Sequence, residues 1–395
     1  MTGPRLDRRA LLTVLAASGV VLAGAPASFS QSRSAKGRKL VVVILRGALD
    51  GLAALAPVGD RRYRELRGDL ALSDGLPAAG PFVFHPSLQH VSELYTRGEL
   101  LALHAVATDY RERSHFDGQD HLEAGTTAIR DGWLNRALAV MGGAAPDAVG
   151  IGQSLPLLLR GAAPVSTWAP AVLPGADDDT IARLMDMYAR DPMLGPALAM
   201  ALETDEAASA MAECMEGMRG MNARGSGPHA YRIVTEAAGN IMAAPGGPDA
   251  AVIGLHGWDT HVRQGAADGQ LANRLAGLDQ ALAGLKDRLN RQWNQTAVLV
   301  VTEFGRTVRA NGAGGTDHGT GGAAFLLGGA VRGGRIIGDW PGLDQLHEGR
   351  DLIPANNLTS LFKAVLAEHW GLDLRDIDRA IFPETLVGGF SGLIG

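Results

Sequence analysis

The chain has a single cysteine, Cys214, so an intrachain disulfide is impossible. No Cys-x-x-Cys pair exists either, which excludes zinc ribbons, c-type haem attachment and thiol redox motifs. Cys214 lies in "AMAECMEGMRGM", an Ala/Met-rich stretch that reads as helix with a small core residue at that position. Lys and Arg number 36 against 42 Asp and Glu, for a formal net charge of -6. With no dense basic tract to track a phosphate backbone, nucleic acid is excluded as a partner. No Gly-x-Ser-x-Gly nucleophile elbow is present. "GAGG" at 312–315 lacks the Lys-Ser/Thr of a phosphate-binding loop and does not open a helix after a strand. Beyond the first 27 residues no apolar run is long enough to span a bilayer. There are no repeats and no low-complexity tract.

What is present is globular composition, 46% hydrophobic and 20% charged, with 53 glycines. Average glycine usage would give about 28 in this length, and the excess points to many tight strand-end loops. The first residues read as an address. Arg8-Arg9 precede an apolar segment and the small-residue pattern Ala25-Pro26-Ala27, the order of a twin-arginine export signal cleaved after residue 27. Residues 28–38 read as a polar lead-in, and 39–395 as one domain. The expectation is a soluble mature protein in the periplasm or secreted, handled by the twin-arginine export machinery and without a stable membrane span.

Strands are expected at "KLVVVIL", "ELLALHAVA" (99–107), weakly around 147–161, at "DAAVIGL" (249–255), "TAVLVVTEF" (296–304) and "AAFLLGG" (323–329). These are continuous, often β-branched runs of the kind covered on both faces. Between them, Leu271, Leu275, Leu278, Leu282 and Leu285 form one apolar stripe at helical spacing. "NLTSLFKAVLAEHW" does the same, with Asn357 or Thr359 placed to cap it. Alternating strands and amphipathic helices imply an α/β fold: a mostly parallel central sheet with helices on both faces. Residues 174–246 read as a helical insertion, where "DDDT" at 177–180 is an acidic helix start rather than a cation site.

In open parallel sheets, ligands gather beyond the carboxyl ends of the strands. Here those ends are unusually polar. The first strand runs into "LRGALDGL" with Asp50, and the third into "HGWDTH" with His256, Asp259 and His261. The fourth runs into "TEFGRT" with Glu303 and Arg306, and Asp317-His318 lie in "NGAGGTDHGTGG" just before the fifth. Carboxylates mixed with imidazoles suit one or two divalent ions, zinc first, with manganese, calcium or iron also fitting. Asp259 and His261 share a side if the backbone is extended. His256 needs a turn to join them, and also reads as a hydrogen-bonded structural residue. A second cluster, "TDYRERSHFDGQDHLEAG", follows the second strand. Ser114 sits where a helix starts, as a cap or as a nucleophile beside a bound phosphate or sulfate. His115 is the best placed of its neighbours for acid/base work. Arg111 and Arg113 are candidates for the anion.

The ordered set "VVVILRGALDGL", "ERSHFDGQDHLEAG", "HGWDTH", "TEFGRT", "GGTDHGTGG" and "AIFP" resembles the exported bacterial family labelled domain of unknown function 1501, over about residues 39–383. The resemblance implies the alkaline phosphatase-like superfamily, and with it a site for one or two divalent metals; it supplies no substrate. It implies that Asp50 is a first-strand ligand, Ser114 the nucleophile, Asp259 and His261 a ligand pair, and His318, with Asp317 nearby, the last ligand. Phe304 stands where many relatives carry a histidine, leaving Glu303 as the carboxylate there. The reaction expected is metal-dependent hydrolysis of a phosphate or sulfate ester, a small anionic molecule, with Ser114 or a cation-bound water attacking. The alternative is a catalytically inactive binding or assembly protein of the cell envelope that keeps the fold.

Overall fold

The computed structural model describes residues 37–395 apart from 127–128, 143–146, 153, 170–183, 185–187, 189–190, 192, 210–227 and 386. The export signal, the "DDDT" stretch, Cys214 and much of the 174–246 segment therefore lie outside the described residues. Within that segment the described helices are Leu194–Ser209 and Pro228–Ala243.

In chain order the strands are β1 (Lys39–Arg46), β2 (Leu55–Ala56), β3 (Leu76–Pro77), β4 (Val83–Phe84), β5 (Leu100–Ala107) and β6 (Ala148–Ile151). They continue as β7 (Ser166–Trp168), β8 (Ala250–His256), β9 (Thr296–Val301), β10 (Gly322–Leu327), β11 (Arg335–Ile337) and β12 (Asn356–Asn357). Nine strands make one sheet in the order β11-β5-β10-β9-β1-β8-β6-β7, with β12 beside β5; β2, β4 and β3 form a small second sheet.

The unbroken apolar run of β1 explains its central place. Val41, Val43 and Leu45 enter one hydrophobic core, while Leu40, Val42 and Ile44 enter the other. A strand with both faces buried needs helices above and below. The Gln270–Leu289 helix supplies one layer, its leucine stripe at 271, 275, 278, 282 and 285 being at most 1% exposed. The Leu358–Trp370 helix supplies the other, through Leu361, Phe362 and Val365. The Asn357 side chain accepts from Thr359 N at 2.7 Å and caps that helix.

The sheet is parallel except at β10, which runs antiparallel to both neighbours, β5 and β9. That reversal matters for the site. Loops leaving β1, β5, β8 and β9 emerge at their carboxyl edge, and the loop entering the reversed β10 emerges at the same edge.

Candidate metal centre

Four side chains from three of these loops meet at that edge. His115 opens the helix His115–Ala124 after β5, Asp259 and His261 follow β8, and His318 precedes β10. His115 Nε2 lies 2.9 Å from His318 Nε2, and His261 Nε2 lies 3.0 Å from the same atom. Asp259 Oδ1 is 2.9 Å from His261 Nε2 and 3.3 Å from His318 Nε2, while its Oδ2 is 3.4 Å from His115 Nε2. Ligand atoms of His115, Asp259 and His318 all fall within 4.8 Å of one another.

The other ring nitrogen of each histidine is engaged. His115 Nδ1 donates to Glu303 Oε1 at 2.8 Å, His261 Nδ1 to Asp317 Oδ1 at 3.1 Å, and His318 Nδ1 to the Arg113 carbonyl at 2.9 Å. A carbonyl only accepts, so the proton of neutral His318 sits on Nδ1 and its Nε2 lone pair faces inward. The carboxylates impose the same tautomer on the other two rings. Converging lone pairs and a carboxylate repel one another unless positive charge lies between them. Such a set of donors could hold a divalent cation: four bonds of about 2.0–2.1 Å in a tetrahedron separate ligand atoms by about 3.3 Å.

The surroundings tune these groups. Hydrogen bonding to Glu303 holds the His115 imidazole above its ordinary pKa. Burial pushes the His318 ring below its ordinary value, and His115 beside it acts in the same direction. Burial alone would raise the Asp259 carboxyl, but the Arg306 guanidinium at 2.5 Å, with His261 and His115 beside it, keeps the group below the usual carboxylate range. The ring of Phe304 stacks on His115 with centroids 5.0 Å apart and closes the cluster from below.

Gly47, just past β1, fixes how closely these loops approach. Its φ is 117°, and a Cβ there would come within 2.6 Å of Asp259 N. Its own N–H donates to Glu303 Oε1 at 2.8 Å.

Not every residue singled out from the sequence stands in this group. Both oxygens of Asp50 are committed elsewhere. Oδ1 accepts from Leu52 N, and Oδ2 accepts from Arg67 at 2.5 Å and Gln264 at 2.7 Å, with Asp50 1% exposed. It joins the cluster only indirectly, because Gln264 Oε1 accepts from Thr316, whose hydroxyl accepts from Arg306 Nε. His256 also stands apart. It ends β8 beside Arg46, and burial together with that arginine lowers its pKa. Glu303 accepts from His115, Gln119, Gly47 and Thr302, so it orients an imidazole and has little left for an ion. Asp317 orients His261 in the same way and is itself held by Asn311. Arg306, 1% exposed, sits behind Asp259 with its other nitrogens on Thr316, so it is aimed at the carboxylate rather than at solvent.

Ser114 immediately precedes the helix in extended conformation, but its hydroxyl makes no capping bond. Arg113 is paired with Glu348 and Asp351, and Arg111 with the carbonyls of Thr108 and Tyr110, so both are tied into the structure. Gln119, Gln264 and Thr316 carry no cue in the sequence, since none sits in a ligand-like spacing. Asn311 lay in the glycine-rich loop already marked.

A family model described as "Protein of unknown function (DUF1501)" matches residues 99–381, which include the whole cluster. The chain belongs to this family. No curated protein matches the sequence. Two solved structures are similar to this DUF1501 protein at low level. One is the C-terminal periplasmic domain of EcEptC from Escherichia coli in complex with Zn, at 12% identity and TM-score 0.37, covering 78% of this chain and 77% of that one. The other is Ps i-CgsB in complex with k-i-k-neocarrahexaose, at 9% identity and TM-score 0.33, covering 76% and 68%.

Proposed function

We propose that this protein is an exported, metal-dependent hydrolase of a phosphate or sulfate ester, with an alkaline phosphatase-like single domain over residues 39–395. The observation that carries the reading is the convergence of three Nε2 atoms and the Asp259 carboxylate, each imidazole held by an acceptor at Nδ1. His115, Asp259, His261 and His318 would hold one divalent ion, zinc being the best match to a three-imidazole, one-carboxylate set. The protein donors already held by Asp50 and Glu303 favour one ion over two.

When bound, such an ion stabilises negative charge on the oxygens of the ester. The chain supplies the rest. Glu303, Asp317 and the Arg113 carbonyl keep the three rings in the ligating tautomer. Arg306 keeps Asp259 ionised. Ser114, between Arg113 and His115 at a helix start, is the candidate nucleophile: its oxygen bonds to phosphorus or sulfur as the ester oxygen leaves and takes up a proton, and water then releases the inorganic anion. Export rests on the twin-arginine pattern at residues 1–27, which gives a periplasmic or secreted location. Among the described residues no helix is long and apolar enough to cross a membrane.

The test starts with elemental analysis of protein purified without chelator. About one zinc per chain is expected, and none in a variant carrying Asp259→Ala and His261→Ala. Aryl phosphate and aryl sulfate screens follow, with Ser114→Ala expected to lose at least about a hundredfold in turnover while keeping its metal. A metal-free wild type overturns the cation site. A metal-loaded protein inert toward both ester classes supports the binding or assembly role in place of hydrolysis.

A further inference from the structure

His318 is the central ligand candidate, touching both other imidazoles, yet its Nδ1 rests on a backbone carbonyl and not on a carboxylate. That carbonyl belongs to Arg113, whose φ of 62° is left-handed. A non-glycine residue there costs about 1 kcal/mol or more and persists only where its surroundings impose it.

The group that imposes it is the Asp351 carboxylate. Arg113 Nε and Nη2 reach Asp351 Oδ2 at 2.9 and 2.8 Å, and Asp351 is 0% exposed. The same carboxylate binds a second guanidinium, with Arg350 Nε 2.9 Å from its Oδ1. Arg350 Nη2 in turn donates to the His318 carbonyl oxygen at 2.6 Å. One buried carboxylate thus grips two arginines, and each arginine ends on His318, one at the ring and one at the main chain. Backbone bridges from Asp351 to Thr307 and His347 seat the carboxylate firmly.

We infer that Asp351 is a positioning residue, a buckle that holds Arg113 in its left-handed conformation and so fixes the ring orientation and Nδ1–H tautomer of His318. A charged pair this far inside is strongly directional, since two bonds from one guanidinium to one carboxylate define an orientation. The inference builds on the cation-site reading, but the tautomer it concerns exists without any ion.

The experiment uses the full-length protein selectively labelled with 15N-histidine. In the metal-free wild type, long-range 1H–15N correlations of His318 should report the Nδ1–H form. In Asp351→Asn the ring should become a mixture of tautomers, while His115, held by Glu303, stays unchanged. Zinc affinity, measured by competition with a chromophoric chelator, should fall about 10–100-fold, the usual consequence of losing a partner behind a ligand. Arg113→Gly is the companion variant: it keeps the carbonyl and relieves the backbone, yet removes the grip, and should show the same two changes in protein that remains folded. If folded Asp351→Asn and Arg113→Gly both keep the wild-type His318 tautomer and zinc affinity, the buckle is refuted. A wild type that takes up no zinc refutes the cation site instead, and the tautomer measurement still decides the inference.

Discussion

At the scale of single residues, the cluster is governed by what stands behind each imidazole. Glu303 has a side chain 0% exposed, whereas that of Asp317 is 53% exposed. An acceptor shielded from solvent is the stronger electrostatic partner. Glu303→Gln should therefore weaken zinc binding more than Asp317→Asn, by about 10–100-fold against a few-fold, as read by chelator competition. Equal effects would mean that burial does not set the ranking. Gly47 makes a second case. Alanine there meets both a left-handed backbone and the 2.6 Å approach to Asp259 N. Gly47→Ala should cost about 2 kcal/mol or more in denaturant unfolding and loosen metal binding with it, because the clash pushes on a ligand. This is also where reading from sequence reaches its limit. Strand-end position was enough to mark His115, Asp259, His261 and His318. It could not say that His115 turns its Nε2 into the cluster, or that Glu303 and Asp317 stand one bond further out. Sequence position fixes which edge a residue reaches, while the choice between ligand and partner depends on which atom faces inward.

At the scale of elements, every long apolar run became a strand and each leucine stripe a buried helix face, because periodicity over six or more residues is a strong signal. The pieces that sequence did not reveal are short: β2, β3, β4, β7, β11 and β12 have two or three residues each. A run that brief has no period to read, and its pairing is decided by tertiary neighbours. The orientation of β10 was equally hidden, since its apolar sequence looks the same whichever way it runs. The cap of the last long helix was legible, and its worth can be measured. Asn357→Ala removes the bond to Thr359 N, and also a 2.7 Å bond to Asp109. It should lower stability by about 1–2 kcal/mol with no change in zinc stoichiometry.

At the scale of the whole molecule, acid sensitivity follows from two buried histidines outside the cluster. His104 donates to the Leu55 carbonyl under Phe82 and Trp340, and burial lowers its pKa to about 4. His369 donates to the Lys39 carbonyl at the start of β1, and burial likewise lowers it to about 4. The unfolded chain takes up these protons near pH 6.5, the folded one only near 4. The stabilisation is fully present above about pH 6.5, drains as pH falls and is exhausted below about pH 4, at about 3 kcal/mol per histidine. Denaturant unfolding of metal-free protein at pH 7 and 4.5 should show the loss, and His369→Gln should shrink it. A stability that stays level across that interval would acquit both residues.

The reversed course of β10 bears on how such a molecule comes into being. His318 reaches its companions only because this strand threads back between β5 and β9, and its ring meets one that precedes it in the chain by 203 positions. A nascent polypeptide still short of that strand already carries three of the four prospective ligands, but nothing yet bridges β5 to the middle of the sheet. If the cluster holds the ion proposed for it, loading is the closing act of biosynthesis, open only to a chain in which β10 is in place.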